Sequence, residues 1–377
     1  MKLIDPFRDP EPIKSAIRHL QPKAISCADQ LGRPVQIMEV CGGHTHTLFK
    51  FGLPELLPKQ IEFVHGPGCP VCVLPRAVID QAIALATRAD VIFTTFGDAL
   101  RVPGSEHSLQ AVRAQGADVR VLYSPADALV LAQQNPSKQV VFFAIGFETT
   151  MPSTALVIQQ AAKQGFENFS VLSHHITIMP TLRALLDRDD VLIDGFIGPG
   201  HVSAIIGEQA YRDIADHYQK PLVISGFEPL DIVQSIDMLL TQLVEQRCDI
   251  ENQYTRVVKS KGNQAALNSM YDVFAIDSED ALWRGLGQIK DSGAPISNAY
   301  AHFDAAKRFA LPVQNQEIDC SGYCDQVMIG KLKPSQCPHF GKSCSPQQPM
   351  GALMVSTEGA CSAYYRYRPL MENSEVV

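Results

Sequence analysis

Short apolar runs separated by helix-like stretches are the feature of this sequence that most limits its fold. They recur between residues 35 and 227, with helix-like segments such as 75–88 and 150–164 between them. The runs are VQIMEV (35–40), IEFVHG (61–66), VIFTTFG (91–97), VRVLYS (119–124), VVFFAIG (140–146), FSVLSHH (169–175), VLIDGFIG (191–198) and PLVISGF (221–227). Continuous apolar runs are typical of strands buried on both faces, so the pattern predicts an α/β fold with mostly parallel sheets.

Two short sequence echoes indicate that the α/β region is doubled. They pair GPGC (66–69) with GPGH (198–201), and GFET (146–149) with GFEP (226–229). We therefore predict two related α/β lobes, placed in domains 1–135 and 136–250. After residue 250 the pattern becomes more polar, and from about residue 315 it is rich in Cys, Pro and Gly. A third, C-terminal domain (251–377), helical at first and then loop-rich, is the expectation.

Composition and charge exclude several classes of protein. The 377-residue chain has a net charge of -8 and no cluster of Lys and Arg, so a nucleic-acid partner is not expected. No apolar run is long enough to cross a bilayer, and the N-terminus carries prolines and acids where a signal peptide needs apolar residues. The expectation is a cytoplasmic protein without a membrane partner. In a reducing compartment its 10 cysteines should be thiols, redox pairs or metal ligands.

The C-terminal segment concentrates cysteines where a hydrophobic core is hard to build. It contains Cys320, Cys324, Cys337, Cys344 and Cys361, and the last four follow the spacing C-x12-C-x6-C-x16-C. Four thiolates can hold either zinc or an iron–sulfur cluster. The segment lacks the close CxxC pairs usual at zinc sites, so the spacing favours a cluster, with zinc or buried free thiols as alternatives. Cys320 is left without a clear role and could be a spare thiol.

Three more cysteines follow predicted strands. Cys41 lies after the first strand, is followed by two glycines, and precedes His44 and His46 within one helical turn. A helix N-terminus favours a thiolate, so this region could bind a soft metal. Cys69 and Cys72 form a CxxC after the second strand. Taken alone, that motif could be a redox pair, half of a zinc site or a coincidence.

Ligands of parallel α/β sheets bind beyond the carboxyl ends of the strands. Cys41, Cys69, the FGD segment (96–98), Glu148 and Thr149 all follow predicted strands, so we expect them to share one crevice. The alternative for Glu148 is a surface acid at a capped helix start. His174 and His175 also end a strand, where hydrogen-bonded structural histidines are the expectation.

These motifs together closely resemble the HypD family, which matures [NiFe] hydrogenases. The resemblance is carried by CGGHTH (41–46), HGPGCPVCVLP (65–75), GFETT (146–150) and the tail spacing, and it covers nearly the whole chain. It implies two α/β domains, a C-terminal [4Fe-4S] domain and a small partner, HypC. That complex would carry iron while cyanide, delivered by HypE and HypF, and carbonyl are attached. The Fe(CN)2CO unit would then pass to the hydrogenase large subunit.

The resemblance also implies roles for individual residues. Cys41 matches the thiolate that holds the iron, and Cys69 and Cys72 match a pair implicated in iron binding or thiol redox chemistry. His44 and Glu148 fall within family motifs and complete the candidate catalytic group. The implied cluster ligands are Cys324, Cys337, Cys344 and Cys361. The sequence departs from the family at CSGYC (320–324), where a CxC is common, which puts any role for Cys320 in doubt.

The functional expectation is therefore a scaffold for Fe(CN)2CO assembly, with the cluster and the thiols supplying electrons. Whether such a scaffold is itself an enzyme is left open. One rival is an iron–sulfur thiol–disulfide oxidoreductase that uses Cys69 and Cys72. The other is a zinc-stapled binding module without redox activity.

Overall fold

A computed structural model describes residues 4–276, 278–312 and 323–372 and contains two parallel sheets and one antiparallel hairpin. The strands are β1 Val35–Glu39, β2 Ile61–His65, β3 Val91–Thr95, β4 Val119–Val121, β5 Gln139–Gly146, β6 Phe169–His175, β7 Gly195–Pro199, β8 Leu222–Ser225, β9 Ile250–Asn252, β10 Glu279–Trp283 and β11 Gly287–Gly293. Each of the apolar runs that predicted a strand contains one, and the predicted α/β class with parallel sheets is confirmed.

The helices fill the connections between the strands. They are α1 Pro10–Leu31, α2 Gly42–Lys50, α3 Leu53–Leu56, α4 Arg76–Ala86, α5 Leu109–Ala114, α6 Ala126–Gln134, α7 Met151–Gln164, α8 Ile178–Leu186, α9 Gly200–Ile206, α10 Arg212–Asp216, α11 Pro229–Val244, α12 Gln264–Val273, α13 Ala305–Arg308, α14 Cys324–Met328 and α15 Ala360–Glu372. Within the described residues, none of these helices is long and apolar enough to cross a membrane.

The two sheets are not divided at residue 135. The five-stranded sheet has the order β2-β1-β7-β8-β9, and the four-stranded sheet has the order β4-β3-β5-β6. The expected boundary thus falls between β4 and β5, inside the four-stranded sheet, which is inserted between β2 and β7. Both GPG turns lie at the ends of strands of the five-stranded sheet. This sequence echo therefore does not correspond to one repeat in each sheet. Buried strands have similar apolar sequences, and their pairing partners cannot be read from composition.

Alternating side chains of the strands enter different cores. In β5, Val141 and Phe143 join a core that also contains Phe196 of β7 and Leu353 of the C-terminal segment. The opposite face of β5, with Phe142, packs into a second core that includes residues of α7. The outer face of the five-stranded sheet packs into a third core with α1 and α11. The first core therefore joins both sheets to the C-terminal segment.

The region after residue 250 is more mixed than its polar, helix-like sequence indicated. It contains the short strand β9, helix α12 and the antiparallel hairpin β10–β11 before the cysteine-rich tail. A Cβ on Gly330 would lie 2.7 Å from a methyl group of Val64, so the segment after α14 packs directly against β2. The tail thus packs against β2, the strand that the CxxC follows.

Candidate functional site

Each parallel sheet has one place where its strand order reverses. In the five-stranded sheet this place lies between β1 and β7, and in the four-stranded sheet it lies between β3 and β5. Cys41 follows β1, and Glu148 follows β5. Ligands of open parallel sheets bind at such switch points, beyond the carboxyl ends of the strands. The topology therefore gives both candidate residues a position typical of ligand sites.

The loop that carries the CxxC lies directly against Cys41. A Cβ on Gly68 would lie 1.4 Å from the Val40 carbonyl oxygen and 2.7 Å from Cys41 Cα. Only glycine allows two backbones to approach so closely. The Gly66 amide also donates to the Glu39 carbonyl oxygen at 2.9 Å. These contacts place the residue before Cys69 beside the backbone of Cys41, so the first and second cysteine motifs meet as expected.

Cys69 and Cys72 form a disulfide in the structure. Their Cα atoms are 5.2 Å apart, and the Cys72 amide donates to the Cys69 carbonyl oxygen at 3.0 Å. Only 4% of Cys69 and 2% of Cys72 is exposed. The pair therefore lies in a tight turn that is covered on the outside and packed into the first core.

The electrostatics of Cys41 differ from the sequence-based expectation. Its backbone precedes α2, and its side chain lies at the helix N-terminus, which alone favours the thiolate. Burial nevertheless raises the pKa of Cys41 strongly, and the carboxylate of Glu358 raises it further. Hydrogen bonds from the Gly43 and His44 backbones lower this pKa by less. Burial therefore outweighs the helix N-terminus, and the raised pKa keeps Cys41 a protonated thiol at neutral pH.

Glu148 lies in the same neighbourhood as Cys41. It is buried, and its Oε1 accepts a hydrogen bond from the Ile178 backbone amide at 3.1 Å, at the start of α8. Between the two residues lies Tyr211, which is fully buried and receives a hydrogen bond from Ser203. Burial raises the pKa of Tyr211, and the nearby Glu148 and Cys41 raise it further. The carboxyl ends of β1 and β5 therefore lie near one another, and the region between them is called the cleft below.

A tail residue that the sequence did not single out also faces this cleft. A Cβ on Gly42 would lie 2.6 Å from Glu358 Cβ, so Glu358 packs against the residue after Cys41. Burial raises the pKa of Glu358, as does the neighbouring Asp98 at the end of β3. Ser356 donates to Asp98 at 3.2 Å. The tail segment thus crosses the cleft between the two sheets. The residues that Glu358 contacts are distant in the sequence, so no local motif predicts these contacts.

His44 is held at the end of β8. Its Nε2 lies 3.3 Å from the Ser225 carbonyl oxygen and 3.1 Å from that of Gly226, which fixes a proton on this nitrogen. Its ring stacks on Phe227 at 4.5 Å, and His201 also stacks on Phe227, at 3.8 Å. Burial lowers the pKa of His44 to about 4, so the ring is neutral at pH 7. The GPGH and GFEP echoes therefore supply part of the cleft wall.

The four cysteines of the tail lie near one another. Cys324 begins α14, Cys361 lies in the first turn of α15, and Cys337 and Cys344 lie in tight turns between these helices. The pKa of Cys361 is raised well above its usual value, mainly by burial and also by the other three thiols. Thiols influence one another in this way only at short range. Cys320 lies outside the described residues.

The donor set fits an iron–sulfur cluster. A Cβ on Gly351 would lie 2.3 Å from Cys324 Sγ, so a glycine is required beside this sulfur. The Met350 amide donates to Cys344 Sγ at 3.4 Å, as backbone amides do around cluster thiolates. Among the described residues, no group of three or more His, Cys, Asp or Glu is placed to hold a metal ion. The cluster ligands therefore stay a prediction.

Comparison with known proteins decides the family. A family model named HypD, with the description "Hydrogenase formation hypA family", matches residues 15–368. The chain is 51% identical over 368 residues to "Hydrogenase maturation factor HypD" of Escherichia coli (strain K12), covering 98% of each chain. The chain belongs to the HypD family. The HypD protein of Rhodobacter capsulatus is 52% identical over 375 residues, covering 97% of this chain and 98% of the relative.

The HypD match extends over both sheets, the cleft and the cysteine-rich tail. A more distant relative, "Hydrogenase maturation factor HypD" of Cupriavidus necator, is 43% identical over 374 residues, with 97% of each chain covered. The family resemblance that the sequence motifs indicated is therefore confirmed. The roles of the individual cysteines, of His44 and of Glu148 are not decided by it.

His174 and His175 lie at the end of β6, and of the two His175 has the more complete set of hydrogen bonds. Its Nδ1 lies 3.0 Å from Ser173 Oγ, and its Nε2 lies 3.3 Å from Thr150 Oγ1. Burial lowers the pKa of His175 to about 3 and that of His174 to about 4. His174 Nε2 has no hydrogen-bond partner within the part of the chain that the structure describes.

Proposed function

We propose that this chain is the scaffold on which the Fe(CN)2CO unit of [NiFe] hydrogenases is assembled. The observation that carries the proposal is the meeting of Cys41, the Cys69–Cys72 loop and the tail segment in one buried cleft. Buried thiols are soft donors suited to low-spin iron with cyanide and carbonyl ligands. The apolar strands on either side would exclude water from this iron, which is the cargo of the scaffold.

Cys41 is assigned as the iron anchor. Because burial raises its pKa, the thiol holds its proton until iron arrives, and binding then releases that proton. A resting thiol in a dry site is also less open to oxidation than a thiolate. The neutral ring of His44 leaves Nδ1 as an acceptor without a hydrogen-bond partner among the described residues. That nitrogen is suited to ligate the iron of the incoming unit.

Electrons for the assembly would pass between the tail and the cleft. Cys324, Cys337, Cys344 and Cys361 would hold a [4Fe-4S] cluster, which supplies one electron at a time when bound. Reduction of the Cys69–Cys72 disulfide breaks its S–S bond, takes up two electrons and two protons, and leaves two thiols. The electrons would come from an external one-electron donor. Glu358 lies only three residues before Cys361 and contacts the residue after Cys41, which keeps the two sites close.

The decisive experiment is infrared spectroscopy of the anaerobic complex with a HypC-like partner. We expect carbonyl and cyanide stretches for the wild type and their loss in Cys41→Ser, because a serine hydroxyl is a poorer donor to such iron. Cys27→Ser, which changes another buried cysteine in α1, is the matched control and should keep the bands. Equal band intensity per cluster in Cys41→Ser and wild type would remove Cys41 as the anchor.

Partner binding should involve the cleft face. We propose that a small HypC-like protein covers it, and that HypE, itself supplied by HypF, delivers cyanide there before transfer to the hydrogenase large subunit. The exposed His201 lies at the cleft through its stacking on Phe227, whereas the exposed Asp90 lies before the amino end of β3. His201→Glu should weaken partner binding in calorimetric titration, and Asp90→Lys should not. The reverse result would put the interface on the opposite edge.

The rival function, thiol–disulfide exchange with other proteins, is less well supported. Exchange requires an attacking thiolate to reach a sulfur atom of the disulfide. Both Cys69 and Cys72 are buried, and the loop that carries them packs on the backbone of Cys41. This burial favours an internal redox role over exchange with an external protein.

A further inference from the structure

The hairpin β10–β11 ends in a turn that joins the two cysteine sites. Its turn residue Arg284 has only 6% of its surface exposed, which is rare for an arginine. The Arg284 amide donates to the Val73 carbonyl oxygen at 2.7 Å. Val73 is the residue directly after Cys72, so the hairpin turn is bonded to the end of the disulfide loop.

The side chain of Arg284 continues this attachment. Its Nη1 lies 3.5 Å from the Leu74 carbonyl oxygen, and Nη1 and Nη2 each lie 3.3 Å from the Pro103 carbonyl oxygen. The planar fork of a guanidinium can serve several acceptors at once, which an ammonium group cannot do in the same geometry. Arg284 therefore fixes the segment after the CxxC to the loop after β3.

The same turn touches the predicted cluster site. A Cβ on Gly285 would lie 3.4 Å from Asp325 Cα and 2.7 Å from Met328 Cε, so the turn packs on α14 directly after Cys324. Arg284, which precedes Gly285 in the chain, therefore brings a positive charge close to the start of α14, where Cys324 lies. A buried cation thus lies between the disulfide loop and one of the four tail cysteines.

We propose that Arg284 is a positioning residue that couples the Cys69–Cys72 pair to the cluster. Its hydrogen bonds hold the loop that carries the disulfide, and its charge favours the reduced, more negative form of the cluster. This inference rests on the proposed cluster at Cys324, Cys337, Cys344 and Cys361. It gives the β10–β11 hairpin the function of linking the two cysteine sites, which the cysteine motifs alone do not indicate.

The test compares the cluster's reduction in three variants of the full-length anaerobic protein. In Arg284→Gln we expect the equilibrium constant for one-electron reduction to fall about tenfold, equivalent to about 59 mV. Arg284→Lys should stay within about threefold of wild type because it keeps the charge. The matched control is Arg308→Gln, because Arg308 is half-buried and also donates to backbone carbonyls, of Glu167, Phe169 and His302.

A second readout separates positioning from charge. Hydrogen exchange of residues 69–74, followed by mass spectrometry, should accelerate in Arg284→Gln and Arg284→Lys but not in Arg308→Gln. If the glutamine variant fails to bind iron, unchanged exchange in the lysine variant would overturn the proposal. Equal reduction constants for Arg284→Gln and wild type would overturn it as well. A wild-type protein without cluster absorbance would instead defeat the proposed function.

Discussion

The cleft thiols and the tail cysteines are held in contrasting ways. Cys41 and the Cys69–Cys72 loop are placed by strand ends and packed backbone, and all three residues are buried. In the tail, Cys324 at the start of α14 and Cys337 and Cys344 in turns are partly exposed, with only Cys361 buried. The cleft is therefore formed by the fold itself, whereas we expect the turns of the tail to depend on the cluster proposed for its cysteines. The following predictions test this contrast, beginning with the largest expected effect.

Removal of a tail ligand should abolish the cluster altogether. We expect Cys337→Ala to lose the visible absorbance of a [4Fe-4S] cluster and to make residues 323–372 sensitive to protease, because the turns that carry Cys337 and Cys344 are partly exposed. Absorbance spectra and limited proteolysis under anaerobic conditions measure both effects. Cys248→Ala, at a cysteine outside both groups, is the control and should behave as wild type. Full cluster absorbance in Cys337→Ala would refute the ligand assignment.

Crowding of the cleft should destabilise the fold itself. Gly68→Ala would force a Cβ into the Val40 carbonyl group, and we expect a loss of about 3 kcal/mol or more in the free energy of unfolding. Chemical denaturation of the protein measures the loss. Gly97→Ala is the matched control, because its Cβ would meet nothing closer than a Val121 methyl at 3.8 Å. Equal stability of the two variants would contradict the close packing of Gly68.

Acid should weaken the four-stranded sheet before it affects the tail. The pKa of His175 in the folded protein is lowered by burial to about 3, below the usual value of 6.5. Its contribution is fully present above pH 6.5 and is lost as the pH falls from 6.5 towards 3. Over this range one such proton changes the free energy of unfolding by about 1.4 kcal/mol per pH unit. Denaturation at several pH values should give a smaller slope for His175→Gln.

Surface ion pairs between the tail and the body should matter least. Lys331 in the tail pairs with Asp190 at 2.6 Å, and both side chains are more than 40% exposed. Exposed pairs are screened by solvent, so we expect Lys331→Met to shift the melting temperature by at most about 2 °C. Met328→Ala, which changes a buried tail residue packed against Gly285, should have a larger effect. A larger effect of Lys331→Met would show that charge holds the tail.

The sequence predicted what is local. Apolar runs predicted the strands, and the rule that ligands bind at strand ends predicted that Cys41 and Glu148 lie near each other. The partition of strands between sheets could not be predicted, because nothing in the sequence of a strand such as β1 or β3 identifies the strand with which it pairs. Glu358 and Arg284 were missed for the same reason. Each reaches its site from a distant segment, and only the folded backbone brings it there.

The expected thiolate at Cys41 shows a different limit. A helix N-terminus is visible in the sequence as a strand followed by two glycines, whereas the depth of burial is not. In the folded chain, burial and Glu358 outweigh the helix, and the pKa of Cys41 rises. Competing effects on one group can be ranked only when their geometry is known.

The insertion of one sheet into the other sets an order of events during synthesis. β1 pairs with β7, and β7 pairs with β8. Residues 66–194 lie between β2 and β7 in the chain. The sheet beneath Cys41 can therefore form only after these residues, β7 and β8 have left the ribosome. Until then one edge of β1 is unpaired, and Cys41 is not covered by its later neighbours. Phe227 and Glu358 follow β8 in the chain and are synthesised later still. The metal loading proposed for Cys41 therefore requires the finished chain, because a nascent one would offer iron only an open thiol.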